Sequence, residues 1–259
     1  MADLTVAREG SLARVTLDRP PLNILTPALI AELGAAFRGL RGDPAVRVVV
    51  LAGAGRAFSA GVEVQAMRDL DPQTARTLIE GLHDAIRALE EVEAPVVARL
   101  HGHVLGGALE LVMACDLRLA GASCRLGMPE ITVGILSVID AVLMPGLIGW
   151  GRAAELILTG EPVEAAVAER WGLVNRVVPD SALDREVEAW VGRLLALPPR
   201  ALRLQVALLR RWRRRGLEPS VTLSMDAFAT AYATDEPRRA MQGFLDRRRE
   251  GRGAGETGG

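Results

Sequence analysis

Two short apolar runs, each followed by a glycine-containing loop, most strongly constrain the fold of this chain. The first occupies residues 48–51, and the second occupies residues 96–100 with Arg99 as its one polar member. A continuous apolar run of this length is typical of a strand that is buried on both faces. Longer segments with helical spacing lie around the runs: one follows Thr26, a residue type that caps helix N-termini, and another covers residues 71–92. The alternation of strand and helix patterns predicts an α/β core.

The two ends of the chain differ in their patterns. Residues 4–6 and 13–17 predict a β-hairpin. From about Pro145 onward the pattern is almost wholly helical, and the Pro198-Pro199 pair predicts a boundary because proline favours a helix start after it. We therefore expect an α/β core over residues 1–197, a helical region over residues 198–250, and a disordered glycine-rich tail over residues 251–259.

Composition argues against several classes of function. The 259 residues include 31 basic side chains, all arginine, so no lysine can form a Schiff base. A net charge of −1 and an aromatic content of 3% give no basis for nucleic-acid binding. The two cysteines and three histidines lack the spacing of a metal site, so we expect no metal. Without a secretory leader or a run of about 18 apolar residues, we expect a soluble, cytoplasmic protein that does not enter a membrane.

The loops that follow the two apolar runs carry the candidate chemistry. Residues 55–63 read Gly-Arg-Ala-Phe-Ser-Ala-Gly-Val-Glu, and residues 101–110 read His-Gly-His-Val-Leu-Gly-Gly-Ala-Leu-Glu. A glycine-rich junction between a strand and a helix leaves backbone N–H groups unpaired, which suits a bound phosphate or an oxyanion formed in a reaction. The alternative is that the glycines only permit tight turns. Neither loop has the pattern of a phosphate-binding loop or of a dinucleotide site.

Four blocks of the sequence, in register, resemble the enoyl-CoA hydratase/isomerase (crotonase-like) family. Residues 57–63 resemble its Ala-Phe-Ser/Cys-Ala-Gly-Ala-Asp signature, and residues 102–110 resemble its Gly-x-x-x-Gly-Gly-Gly-x-Glu signature. Residues 126–134 resemble its Phe-Gly-x-Pro-Glu-x-x-x-Gly block, and residues 158–179 resemble its Leu-Thr-Gly…Val-Pro run. The resemblance implies a crotonase-like spiral of repeated β-β-α units, a C-terminal helical oligomerisation region, and assembly as a trimer or hexamer.

The resemblance also implies a reaction and roles for particular residues. The chain would be a lyase that adds water across the double bond of an α,β-unsaturated acyl-CoA thioester, with coenzyme A as part of the substrate and no separate cofactor. The backbone N–H groups of Val62 and Gly107 would form an oxyanion hole, and Glu110 and Glu130 would be the acid–base carboxylates. Further substrate-binding residues would be Ala60, Gly61, Gly106, Leu22 and Val138. Candidates for the coenzyme A phosphates and adenine are Arg19, Arg56, Arg68, Gln65 (at a position that is usually lysine), Arg247 and Arg248.

One stretch departs from the family pattern. Residues 137–142 read Ser-Val-Ile-Asp-Ala-Val where hydratases usually have Pro-Gly-Ala-Gly-Gly-Thr, which changes the backbone that holds water and the shape of the acyl pocket. A hydratase of cyclic dienoyl-CoA thioesters and a double-bond isomerase therefore stay open as alternatives. Asp140 is either an isomerase carboxylate or a polar residue at a helix start, and Glu130 has the alternative of a charge at a helix N-terminus. A non-catalytic or RNA-associated protein of this family is disfavoured by the near-neutral charge.

Overall fold

A computed structural model describes residues 3–213 and, beyond them, residues 225, 226, 228, 230, 233–237, 239 and 241. Its strands are β1 (Leu4–Glu9), β2 (Leu12–Leu17), β3 (Val48–Gly53), β4 (Val96–Leu100), β5 (His103–Leu105), β6 (Leu117–Gly121), β7 (Arg125–Gly127), β8 (Val163–Glu164) and β9 (Arg176–Val178). Its helices are α1 (Pro27–Leu40), α2 (Val64–Arg68), α3 (Pro72–Glu90), α4 (Gly107–Ala114), α5 (Met144–Ile148), α6 (Trp150–Thr159), α7 (Ala165–Trp171), α8 (Leu183–Leu195) and α9 (Pro199–Trp212). Three segments are 3₁₀-helical: Pro129–Val133, Ile139–Leu143 and Asp180–Ala182.

The larger sheet has six strands in the order β1-β2-β3-β4-β6-β9. Strands β1 and β2 form the predicted antiparallel hairpin, and the remaining pairs are parallel. The apolar runs at residues 48–51 and 96–100 form the central strands β3 and β4, whose side chains are almost entirely buried. Because helices cover parallel strands on their faces, such strands can be apolar on both sides. The α/β prediction is confirmed.

A smaller sheet has three strands in the order β5-β7-β8. Isolated parallel bridges extend it, because Ser59 pairs with Val104 and Leu25 pairs with Val62. Along the chain, a strand of the larger sheet is therefore followed by a strand or bridge of the smaller sheet, and then by a helix. The chain repeats this order through β4, β5 and α4. This repetition is the predicted spiral of β-β-α units.

Helices α1 and α3 begin at residues whose side chains cap them. Thr26 accepts a hydrogen bond from the Leu29 N–H at 3.2 Å, as its position in the sequence predicts. Asp71 and Thr74 form a reciprocal capping box at the start of α3. Leu82 of α3 is 2% exposed and belongs to the main core cluster. The capped start of α3 thus fixes the helix that also borders the cleft described below.

The region after Pro145 contains two strands that the sequence pattern does not predict. Strands β8 and β9 have two and three residues, which is too few for an alternating pattern to become visible. They form only because β7 and β6 offer neighbouring backbone groups to pair with. The prediction of an almost wholly helical second half is therefore wrong at these two places.

The chain divides into two compact units, Met1–Gly192 and Arg193–Gly259. In the second unit, α9 begins at Pro199, next to the predicted boundary. The Glu236 side chain accepts hydrogen bonds from the N–H groups of Arg200 and Ala201, at 3.1 and 2.9 Å, and so satisfies the N-terminus of this helix. The predicted tail at residues 251–259 lies outside the described residues, as do Arg247 and Arg248. In the part of the chain that is described, no helix is long and apolar enough to cross a membrane.

Candidate active site

The two glycine-containing loops meet at the edge of the smaller sheet. The Ser59 N–H donates to the His103 carbonyl at 3.0 Å, and the Leu105 N–H donates to the Ser59 carbonyl at 3.2 Å. Gly61 has a φ of +96°, and a Cβ atom there would lie 2.8 Å from the Leu105 carbonyl oxygen. Only glycine combines this backbone conformation with so close an approach. Gly61 therefore allows the first loop to pack directly against the second.

The backbone N–H of Val62 points away from Leu25, the residue with which Val62 forms a β-bridge. The Leu25 N–H donates to the Gly61 carbonyl at 2.9 Å, and the Glu63 N–H donates to the Leu25 carbonyl at 3.2 Å. Since peptide groups alternate in direction along a strand, the Val62 N–H lies on the opposite side. That side faces a cleft to which Val62 contributes.

Gly106 and Gly107 place a second N–H at the same cleft. Gly106 has φ and ψ angles of 56° and −131°, and a Cβ atom there would lie 2.6 Å from Oε1 of Glu130. Gly107 is the first residue of α4, where N–H groups have no partner within the helix. Within residues 3–213, neither the Val62 nor the Gly107 N–H donates to another protein group. Two backbone donors are therefore available at one place.

The space beside Gly107 is already filled by protein. A Cβ atom on Gly107 would lie 2.7 Å from Cδ2 of Leu82 and 3.0 Å from Cγ2 of Val62. A side chain at this position would therefore have to displace Leu82. The same distances place Val62 and Gly107, the two residues with unpaired N–H groups, next to each other.

Glu110 lies one turn into α4 and is 3% exposed. All eight residues of α4 are buried, so the Glu110 carboxylate has little contact with solvent. One oxygen, Oε2, accepts a hydrogen bond from the Asp140 N–H at 3.0 Å. Burial, followed by the nearby negative charge of Glu130, raises the pKa of Glu110 to about 8. Near neutral pH, the Glu110 side chain therefore carries a proton.

Glu130 lies in the 3₁₀ segment Pro129–Val133 and is partly buried. Its carboxylate lies against Gly106 and accepts a hydrogen bond from the Ser137 hydroxyl at 3.0 Å. Burial raises the pKa of Glu130 above its ordinary value, and the Ser137 hydrogen bond opposes this rise. Glu130 does stand in the first turn of a short helix, but its carboxylate is directed into the cleft that Glu110 also lines. A purely surface or capping role does not explain this placement.

The cleft between these residues has an empty volume of about 630 Å³, open solvent included. Its mouth and walls are largely apolar, with Met67, Ile79 and Leu82 on one side and Ile135 and Leu136 on another. It brings together eight of the residues that the sequence predicts: Ala60, Gly61, Val62, Gly106, Gly107, Glu110, Glu130 and Val138. A ligand in this cleft would therefore meet two N–H donors and two carboxyl groups within an apolar wall.

Comparison with known proteins agrees with this arrangement. The family model described as enoyl-CoA hydratase/isomerase matches residues 7–252. The chain belongs to the enoyl-CoA hydratase/isomerase family. A crotonyl-CoA hydratase of Syntrophomonas wolfei is 32% identical over 250 residues, which are 95% of this chain and 96% of the relative. A short-chain-enoyl-CoA hydratase of Clostridium acetobutylicum is 30% identical over the same shares of the two chains. A solved enoyl-CoA hydratase structure from Mycobacterium smegmatis superimposes with a TM-score of 0.92 at 33% identity, covering 95% of this chain and 97% of that one.

Several residues that the family resemblance nominates for coenzyme A lie outside the cleft lining. Arg19 faces Asp3 and Glu63 at 3.4 and 3.6 Å, and Arg68 pairs with Asp69 at 2.7 Å. Arg56 and Gln65 are exposed, and the Leu22 carbonyl accepts a hydrogen bond from the Ala60 N–H at 3.0 Å. These residues flank the loop that carries Val62. Their contact with coenzyme A stays a prediction.

Ser137 and His83 lie next to the site, through contacts with Glu130 and Asp140, although the family signatures do not include them. Ser137 stands at the start of the stretch that departs from the family pattern, and this departure was the available signal. Nothing in the sequence connects His83 with the site, because its partner Asp140 is 57 positions away along the chain. Asp140 does not line the cleft, and it lies in the first turn of the 3₁₀ segment Ile139–Leu143, as the helix-start alternative predicts. Within the described residues, no group of three or more His, Cys, Asp or Glu side chains is placed to hold a metal ion.

Proposed function

We propose that this member of the family is an enoyl-CoA hydratase, a lyase that adds water across the double bond of an α,β-unsaturated acyl-CoA thioester. One observation carries the proposal: the carboxyl groups of Glu110 and Glu130 line the same cleft as the unpaired N–H groups of Val62 and Gly107. Hydration of an enoyl thioester needs both kinds of group, because negative charge develops on the carbonyl oxygen while protons move at Cα and Cβ.

The two N–H groups would stabilise the enolate. Attack of water at Cβ moves the electron pair of the double bond toward the thioester, so negative charge builds up on its oxygen. A fixed backbone donor at that oxygen lowers the barrier by about 3 kcal/mol. Both donors belong to the main chain, so Val62, where the family usually has alanine, provides the same N–H. Its branched side chain narrows the cleft beside Gly107.

The two carboxyl groups would move the protons. One takes a proton from the attacking water as the C–O bond forms at Cβ, and the other delivers a proton to Cα. The pair therefore needs one proton between its members. Glu110, whose pKa is about 8, holds that proton near neutral pH, and the more accessible Glu130 is the member whose negative charge raises the pKa of Glu110. The pair carries the same number of protons before and after each turnover.

We propose that the acyl group of the substrate is short. Its volume of about 630 Å³ includes the open mouth, and Leu82, Leu136 and Val138 contribute bulk to its wall. The two curated relatives described above are named for crotonyl-CoA and for short-chain enoyl-CoA. We therefore propose crotonyl-CoA or a similar short enoyl thioester as substrate, with no cofactor apart from its coenzyme A portion. A cyclic dienoyl-CoA thioester is the substrate that would test the departure at residues 137–142.

The coenzyme A portion would extend past the flanking loop. We propose Arg19, Arg56, Gln65 and Arg68 as its partners near the cleft, with Arg247 and Arg248 of a neighbouring subunit.

Assembly in multiples of three, the expectation from the family resemblance, is supported by apolar residues in the second unit. Met225, Phe228 and Met241 are 66%, 68% and 48% exposed, and a contact between subunits would cover them. Light scattering at micromolar concentration should give a multiple of three chains, and a clean monomer would contradict this assembly. Two free, buried cysteines are consistent with the cytoplasm as the proposed location.

The test of the reaction is a panel of thioesters. We expect the protein to reduce the enoyl absorbance of crotonyl-CoA and to act more slowly on longer chains. Glu110→Gln and Glu130→Gln should each lower turnover by about 10²-fold or more, because each removes an acid–base group, while binding of the acyl-CoA changes little. If either variant keeps the wild-type rate, the mechanism with two carboxylates is wrong. Conversion of a 3-enoyl-CoA without net hydration would instead favour an isomerase.

A further inference from the structure

A hydrogen-bonded pair, the buried Asp140 and the partly exposed His83, adjoins Glu110 without lining the cleft. The Asp140 carboxylate is 2.8 Å from Nδ1 of His83, and Asp140 is 2% exposed. The backbone N–H of Asp140 donates to Oε2 of Glu110 at 3.0 Å. His83 is in α3, Asp140 is in the segment Ile139–Leu143, and Glu110 is in α4. Three separate elements are therefore tied together at this point.

The chain just before Asp140 has an unfavourable conformation. Ile139 has a φ of +38°, a region that β-branched residues avoid because of steric clash. The N–H of Asp140, which follows Ile139, donates to the Glu110 carboxylate, and the Val138 backbone on the other side of Ile139 also lowers the pKa of Glu110. Such a conformation persists only where surrounding contacts hold it in place. The bond between Asp140 and His83 is such a contact, because it joins this segment to the long helix α3.

We propose that His83 and Asp140 are a positioning pair for Glu110. His83 holds the Asp140 side chain, Asp140 holds the Ile139 turn, and the turn presents the Asp140 N–H to the carboxyl group of Glu110. An ionised carboxylate only accepts hydrogen bonds, so Nδ1 of His83 carries the hydrogen in this arrangement. Neither residue lines the cleft, so the pair acts through Glu110 rather than on the substrate. The inference rests on the proposed function, in which Glu110 moves a proton.

The pair has an electrostatic consequence as well. The titratable groups that face Glu110 among the described residues are Glu130, in the segment Pro129–Val133, and Asp140, with His83 of α3 behind it. The negative charge of Asp140 raises the pKa of Glu110, while the Asp140 N–H lowers it. Removing the charge and keeping the turn should therefore lower the pKa of Glu110. A residue with only a packing role would not have this effect.

Two substitutions at His83 separate positioning from packing. His83→Leu removes the donor to Asp140, whereas in His83→Asn the side-chain amide can take the place of Nδ1–H. We expect His83→Leu to lower kcat for crotonyl-CoA about 10-fold with KM within about twofold, because a displacement of about 1 Å at a catalytic group can cost about 10²-fold. His83→Asn should recover most of the lost rate. The control is Asp84→Asn, the next residue of α3, which is exposed. Circular dichroism must show that all variants are folded.

A second measurement needs no substrate. With ¹³C-labelled glutamate, the titration of Glu110 can be followed by NMR in the free protein and assigned by its loss in Glu110→Gln. We expect the apparent pKa of Glu110 to fall in Asp140→Asn, because the amide can still accept from His83 but carries no charge, and to stay unchanged in Asp84→Asn.

The outcomes distinguish the two proposals. If the wild-type protein hydrates no enoyl-CoA, the proposed function fails, while the titration of Glu110 in Asp140→Asn still tests the pair. If the wild-type protein is active and His83→Leu turns over at the wild-type rate, His83 does not position Glu110. If Glu110 titrates identically in wild type and Asp140→Asn, Asp140 does not act on Glu110. Either of the last two results overturns the positioning pair.

Discussion

The buried carboxyl group of Glu110 should make the protein less stable as the pH rises. Its pKa in the folded protein is about 8, whereas its ordinary value is 4.5, and burial is the largest cause. Between these two values the folded chain keeps a proton that the unfolded chain has released. The free energy of unfolding therefore falls as the pH rises from about 4.5 to about 8, and the Glu110 contribution is constant outside that window.

Glu110→Gln should remove this dependence. A glutamine keeps the size of the side chain and an oxygen that accepts from the Asp140 N–H, but it has no charge to bury. The difference between 4.5 and about 8 corresponds to about 4 to 5 kcal/mol, at about 1.4 kcal/mol for each pH unit. Because water that enters the cleft lowers the cost of the charge, we expect a measured difference of at least about 2 kcal/mol. The variant should be inactive as a hydratase and yet more stable than wild type at pH 9.

The assay is urea-induced unfolding at pH 5, 7 and 9, at one protein concentration because assembly adds to apparent stability. Wild type and Glu110→Gln should have similar free energies of unfolding at pH 5 and should diverge toward pH 9, with the variant higher. Glu32→Gln, at an exposed position of α1, is the matched control and should follow wild type. Parallel curves for wild type and Glu110→Gln would refute the reasoning, because Glu110 would then lose its proton at the same pH in both states.

Two further predictions concern catalysis. The kcat/KM for hydration should decrease above an apparent pKa of about 8, because loss of the Glu110 proton leaves both carboxyl groups charged; a rate that stays constant to pH 9.5 would contradict this. Folded Gly107→Pro should lose about 10²-fold in turnover, because proline keeps a conformation that a first helical turn accepts but lacks the N–H donor. A Cβ atom at this position would lie 2.7 Å from Cδ2 of Leu82, so Leu82 must shift to make room for the proline ring. Gly107→Ala is the control, because it adds the same Cβ atom but keeps the N–H donor. Equal losses in the two variants would assign the effect to crowding rather than to the oxyanion hole.

The features that depend on neighbours along the chain could be predicted from the residue types and their spacing. The apolar run of β3, the threonine cap of α1 and the hairpin of β1 and β2 follow from local spacing and residue type, and the structure has all three. The glycine at position 61 also has a local cause, because a positive φ restricts the residue type at that position. The family signatures also nominated eight residues that line one cleft in the structure.

Which groups from separate segments meet depends on the folded arrangement of the chain. The strands β8 and β9 are too short to be recognised without their partners, and the Ser137 hydroxyl gains its role from a carboxylate seven positions earlier. His83 and Asp140 are far apart in sequence and meet only because the fold packs α3 against the segment Ile139–Leu143. The protonation of Glu110 is likewise a tertiary property, since it arises from burial and from charges on other segments. A pattern in the sequence records the residue types, but burial and Coulomb interactions depend on distances in space, and the fold alone sets those distances.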